Sequence, residues 1–289
     1  MQINLKTTIK KNIQGVYYIM TFQMWSAWHF VLMLAPIVAI LILYFALRKT
    51  SYKTRYIVGI VIGCISLAIL IMRNIDIYVN NGFDPEIIPL QVCHFGNIMV
   101  FIALVFRSKT ATSIAWCLNL LAAYASLVFA DSLENYTTLA SIRAQAYIWG
   151  HIFIVVGALY AVLLKIVRID FKSYLYGILV LVMLLIPAII LNSYFNDVLG
   201  YNINYFYIYN SNGVPFEFLY IGNRAKYGWF TINWTYTILV VLIFLVLMYG
   251  IYNIQKLLYL KDKDYQTHHI FYNYFQKRKE LKNKNLIKS

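Results

Sequence analysis

Seven apolar stretches, each bounded by charge, Pro, Gly or Asn and each close to the ~20 residues a helix needs to cross a bilayer core, constrain this chain more than any other feature. They run from Trp28 to Leu47, Tyr56 to Tyr78, Pro89 to Phe106, Thr112 to Ala130, Arg143 to Leu164, Tyr174 to Tyr194 and Tyr227 to Tyr252. With 61% hydrophobic and only 12% charged residues, the composition excludes an ordinary soluble domain. The expected fold is all-α, a multi-pass bundle of seven transmembrane helices. Its expected parts are an N-terminal interfacial segment over 1–25, the helical domain over 26–252 and a basic cytoplasmic tail over 253–289. The first stretch is too long for a signal peptide and lacks a small-residue cleavage site, so it is expected to stay in the membrane.

The placement of charge sets an orientation. Arg48, Lys49, Lys53, Arg55, Arg107, Lys109, Lys165, Arg168 and Lys172 fall in the connections after the first, third and fifth stretches, on the side of the lysine-rich tail. The other side carries Lys6, Lys10, Lys11, Arg73, Arg143, Arg224 and Lys226, balanced by acids such as Asp84, Glu86, Asp131 and Glu134. The positive-inside rule then puts the N-terminus out and the C-terminus in, in the cell membrane. The net charge of +14 thus reads as topology rather than nucleic-acid binding. The aromatic and basic tail suits anionic inner-leaflet lipids, at about 1 kcal/mol per basic residue near the surface, or serves simply as a solvated topology anchor.

Polar residues within the stretches gather toward the outer ends. His29 stands at the outer end of the first, Arg73 and Asp76 at that of the second, and Gln91, Cys93, His94 and Asn97 in the first turns of the third. Asp131 closes the fourth, Asn233 lies near the outer end of the seventh, and His151 follows Arg143 by eight residues, about 12 Å of helical rise. Ionisable groups in lipid cost about 2.5 to 3.5 kcal/mol each at a helix centre, so a shared polar pocket facing the outer leaflet is expected. The bland alternative is that each one snorkels or ties helices together singly.

Cys93 and Asn97 share a helix face, whereas Cys93 and His94 point about 100° apart. A base for the Cys93 thiol therefore has to come from another helix, His151 first and His29 in reserve. Asn97 or Gln91 could serve as oxyanion donor, and Asp131 or Asp76 could orient an imidazole. The competing reading makes Cys93 a small packed hydrophobe. Arg73 and Asp76, three apart, are expected to pair with each other. That leaves Arg143 either free for a phosphate or carboxylate, or as an interfacial anchor. No pair among His29, His94 and His151 has metal-ligand spacing, so neither metal nor cofactor is expected. No internal repeat supports a transporter of the inverted-repeat kind, and the seventh stretch has no lysine for a retinal Schiff base.

The segments "IIPLQVCHF", "FADSLENYTTLASIRAQAYIWGHIFIVVGALYAVLLK" and "NINYFYIYN" resemble, in order and spacing, the YwaF family of bacterial integral membrane proteins. Pro89, Leu90, Cys93, Arg143 and His151 carry most of the resemblance; Ser26, His29, Asn204 and Tyr205 add to it. That family is distantly similar to a eukaryotic transmembrane family implicated in cysteine-dependent acyl transfer between phospholipids. The resemblance implies an acyltransferase or acyl hydrolase acting on membrane lipids. Taken with the depth and spacing of the polar residues, the expected site has Cys93 and His151 at the chemistry and His29, Gln91, His94, Asn97, Asp131, Arg143, Asn204 and Asn233 around the substrate. The alternative is a non-catalytic carrier or binding protein for a lipid or small solute. Oligomeric state is not readable.

Overall fold

The computed structural model describes residues 22–136, 138–211 and 217–259. The terminal segments expected at the interface and in the tail lie outside these, apart from residues 22–25 and 253–259. Seven spans long and apolar enough to cross a membrane are present among the described residues, built on α1 (Ala27–Leu47), α2 (Tyr52–Asn81), α3 (Val92–Val105, whose span includes the preceding turns from Pro85), α4 (Lys109–Val128), α5 (Ile142–Leu163), α6 (Phe171–Ser193, whose span continues to Val198) and α7 (Trp234–Leu258). The middle of α4, Ala115–Asn119, is a π-helical turn.

Most of these helices start where a short polar side chain can satisfy an orphan N–H. Ser26, Ser51, Ser108, Ser141, Asp170 and Asn233 each accept a hydrogen bond from a backbone N–H in the first turn of α1, α2, α4, α5, α6 and α7 respectively. Only α3 opens without one: Gln91 occupies its cap position and makes no side-chain cap bond.

Two boundaries differ from the sequence expectation. The third span does not become α-helical at Pro89. A 3-10 turn, Pro85–Ile87, comes first, capped by Asp84, and a second turn at Pro89 and Leu90, flanked by extended Ile88 and Gln91, follows before α3 begins. The seventh stretch does not begin its helix at Tyr227. Two short strands, β1 (Ala225–Tyr227) and β2 (Phe230–Ile232), pair antiparallel around a turn at Gly228, whose φ of +64° suits a tight hairpin. The helix starts only after the Asn233 cap.

Helices α3, α4 and α5 form the centre. Half or more of each of their apolar windows is buried, against 17% to 28% for the other four, which face lipid. Helix α2 packs on α3 and α5, α1 on α5 and α4, α6 on the start of α4, and α7 on the π turn of α4. Small residues permit the close approaches, as is common where lipid supplies no hydrophobic drive between helices. A methyl group added at Gly157 of α5 would collide with Val100 of α3. The π turn is pinned on both sides: Trp116 Nε1 donates to the Ile251 carbonyl of α7 at 3.0 Å, and Asn119 Nδ2 to the Val92 carbonyl of α3 at 2.9 Å.

The described residues of the loops 82–91, 129–141 and 199–233 gather at one end of the bundle, as the helix order requires. The long last loop covers the start of α3. Tyr205, fully buried, donates to the Pro85 carbonyl at 2.6 Å, and the Phe206 N–H reaches the Leu90 carbonyl at 3.3 Å. Asn192 holds Tyr205 from α6 through both its amide atoms.

Candidate functional site

A cavity of about 340 Å³ lies at this loop-covered end, between α2, α3, α4, α5 and one face of α7. From α3 it is lined by Gln91, Cys93, His94 and Asn97; from α5 by Arg143, Tyr147 and His151; from α4 by Ser126; and from α2 by Arg73. Its volume is at the lower end of the roughly 300 to 1,000 Å³ typical of small-molecule sites.

Cys93 and His151 meet across α3 and α5, thiol against imidazole, both buried. His151 Nδ1 lies 2.5 Å from the carbonyl oxygen of Tyr147, one turn earlier on the same helix. A carbonyl can only accept, so Nδ1 carries the hydrogen and Nε2 keeps the lone pair. The Tyr147 ring lies 4.3 Å from that of His151, and the Tyr147 hydroxyl donates to the Ser126 carbonyl at 2.7 Å, which fixes the imidazole against α4. On its other side the Cys93 sulfur contacts Ser126 Oγ at 3.7 Å.

Cys93 is the second residue of the one helix that lacks a side-chain cap. The N–H groups of Val92, Cys93 and His94 precede the first intrahelical bond, and no acceptor among the described residues reaches them. The positive end of the α3 dipole therefore sits beside the sulfur and favours negative charge there. His94 Nδ1 is also buried without a partner among the described residues.

Charge around the cavity is organised across helices. The expected Arg73–Asp76 pair does not form. Arg73 pairs with Glu86 of the α2–α3 loop at 2.7 Å, and Asp76 pairs with Arg143 of α5 at 3.1 Å. Arg143 is thus paired rather than free. The i, i+3 spacing brought Arg73 and Asp76 to one side of α2, but each met a more accessible partner on a neighbouring segment.

The remaining expected site residues divide by position. Asn97 lines the cavity and is braced, accepting from Ser66 Oγ at 2.8 Å and donating to the Cys93 carbonyl at 3.1 Å. His29 is fully buried away from the cavity; Nδ1 accepts from the Trp25 N–H at 2.9 Å, and Nε2 donates to the Leu127 carbonyl at 3.0 Å, tying α1 to α4. Asn204 is engaged with Tyr209 and Asn210 within its own loop, and Asn233 caps α7 and holds the Gly222 carbonyl, so neither lines the cavity. Asp131 begins a 3-10 turn, Asp131–Asn135, but its side chain lies outside the described residues. Ser126, Tyr147 and Glu86 line the cavity without having been singled out in the sequence. Their hint was spacing: Tyr147 stands one turn before His151 on the same helix face. No group of three or more His, Cys, Asp or Glu suited to a metal occurs among the described residues.

The fold and its cavity define a class: a multi-pass membrane protein with seven spanning helices and a buried polar site beneath its loops at one end. The family model described as the TMEM164 family matches residues 21–252, which include the whole site, and the chain belongs to that family. No curated protein and no solved structure matches it.

Proposed function

We propose that this protein transfers or hydrolyses acyl groups on membrane lipids, with Cys93 as nucleophile and His151 as general base. The observation that carries the reading is the contact between the Cys93 thiol and the His151 imidazole inside one cavity. Nε2 of His151 takes the thiol proton as sulfur attacks an ester carbonyl, forming the S–C bond. The carbonyl oxygen then gains negative charge. Gln91 and the free N–H groups at the start of α3 are its donors; Asn97 already commits one N–H to the Cys93 carbonyl. When the C–O bond breaks, His151 returns the proton to the leaving lysolipid oxygen and a thioester remains on Cys93. Attack by the hydroxyl of a second lysolipid gives transfer, and attack by water gives hydrolysis; His151 accepts that proton, and the thiol is restored.

Arg143 and Arg73 would hold the lipid phosphate at the mouth, exchanging part of their carboxylate pairing for it. By the positive-inside rule the cavity faces the outer leaflet, with the N-terminus out, the C-terminus in, and the basic tail on anionic lipids of the inner leaflet. The cell membrane is the compartment this reading assigns.

The test is acyl turnover of phospholipid in reconstituted vesicles, read by lipid mass spectrometry. Cys93→Ala should fold, bind lipid and lose turnover; full turnover in that variant ends the reading. A non-catalytic lipid or solute carrier is the second reading, favoured by the Arg73–Glu86 and Arg143–Asp76 pairs, which can open and close on a ligand without chemistry. In that case binding tolerates Cys93→Ala but not loss of Arg143 or His151.

A further inference from the structure

Helices α6 and α7 are fastened to each other near both ends and stand apart between. At one end Tyr174 stacks on Tyr252 at 4.6 Å; toward the other, Ser193 Oγ donates to the Thr231 carbonyl just before α7 at 2.8 Å, and Tyr194 meets Trp229. Helix α6 leans on the start of α4 and α7 on its π turn, more than either leans on the other. The crevice so framed is lined by Val, Leu, Ile, Met and Phe side chains alone, and it reaches the lipid face at Val182, which is 45% exposed. The side chains of Val92 and Phe244 line both the crevice and the polar cavity, and form the partition between the two. Cys93 follows Val92 on α3 and lines the cavity side of that partition.

We propose that this crevice is a lateral port, through which one acyl chain of a membrane glycerophospholipid passes while the ester of that chain lies at Cys93. The choice of occupant rests on the acyl-transfer reading. A cavity of about 340 Å³ has room for a headgroup and an ester but not for hydrocarbon tails as well. A substrate whose polar end enters it must lead its chain out sideways, and a fully apolar crevice, separated from the cavity by the Val92 and Phe244 side chains alone among its lining, supplies that route once those side chains part. At about 50 Å³ the crevice is narrow, so it grips a few methylenes as the chain passes and leaves the rest in the bilayer. A slot without polar groups costs the chain nothing in unmet hydrogen bonds and excludes headgroups, which would lose theirs.

The experiment is photo-crosslinking of the full chain in phosphatidylcholine vesicles doped with a phosphatidylcholine that carries a diazirine midway along one acyl chain. Peptides from 178–185 of α6 and 240–248 of α7 should be labelled about tenfold more than the lipid-exposed 34–42 stretch of α1. Leu245→Trp, which fills the crevice without touching the cavity, should reduce that labelling to the α1 level; if the variant does not fold, the wild-type map alone decides. Uniform labelling of α1, α6 and α7, or labelling that a folded Leu245→Trp leaves unchanged, overturns the port. Cys93→Ala should keep the wild-type map, so retained turnover in Cys93→Ala would remove the chemistry while the port still stood.

Discussion

His151 donates through Nδ1 to the carbonyl of Tyr147, and this one bond leaves Nε2 as the ring nitrogen with a lone pair to take a proton from the Cys93 thiol. The donor is fixed by the helix itself, so the imidazole needs no carboxylate to set its tautomer. The arrangement predicts that His151→Gln, which keeps polarity but not basicity, lowers turnover by about 10² to 10⁴ while leaving lipid binding within a few-fold. The check is turnover and equilibrium lipid binding measured on the same vesicles; equal losses in both would instead assign His151 to binding.

The pair Asp76 and Arg143 joins α2 to α5 beside the cavity, with side chains 17% and 32% exposed. Arg143→Gln should destabilise the protein by about 1 to 2 kcal/mol, between the values of exposed and buried pairs, because it leaves the largely buried Asp76 with a hydrogen bond from Asn80 but without its countercharge. Asp76→Asn combined with Arg143→Gln should cost less than the sum of the single changes. A double-mutant cycle on thermal unfolding in detergent checks this, and strict additivity would mean the pair contributes nothing.

Gly157 is needed for closeness rather than backbone freedom. Replacing it with Ala drives a methyl into Val100 and should cost about 1 to 3 kcal/mol. Val100→Ala in the same chain should recover part of that loss, since the two side chains compete for one space. Thermal unfolding of the two single variants and the double variant measures it.

At the opposite end of the bundle Asp170 caps α6 and pairs with Lys109 at the start of α4, 2.8 Å apart. Burial pushes its carboxyl up, but hydrogen bonds from Lys109 and Ser173 outweigh this and hold it at about 2. A carboxyl depressed on folding contributes stability that is fully present above its unfolded value, about 3.9, and is lost as pH falls through about 2. Unfolding scans across that window should show a loss that Asp170→Asn does not share. The effect should be small and weakened by salt, since both side chains are about half exposed.

The membrane class was legible because apolar length is a one-dimensional property: the helices fall within a few residues of the stretches read from the chain, save at Pro89 and Tyr227. At both exceptions the hydrophobic count continued through residues whose backbone does something else, successive turns before α3 and a hairpin before α7. Within the site, Cys93, His94, Asn97, Arg143 and His151 could be brought together by depth alone. Depth does not say which way a helix faces, and His29 at similar depth is turned into the α1–α4 contact instead. Ion-pair partners were least readable, because Glu86 reaches Arg73 from a loop and Arg143 reaches Asp76 from another helix, and neither relation leaves a spacing in the sequence. The uncapped start of α3 was visible as Gln91 in place of Ser, Asp or Asn, but it gains meaning only beside the six capped helices.

The most direct test of the nucleophile is the intact mass of the protein, quenched in acid during incubation with phospholipid vesicles. The account predicts an acyl adduct on Cys93 that hydroxylamine removes, and that is absent from Cys93→Ala. An actively remodelling preparation in which acylated Cys93 never accumulates, while Cys93→Ala remodels lipid at the wild-type rate, would contradict it.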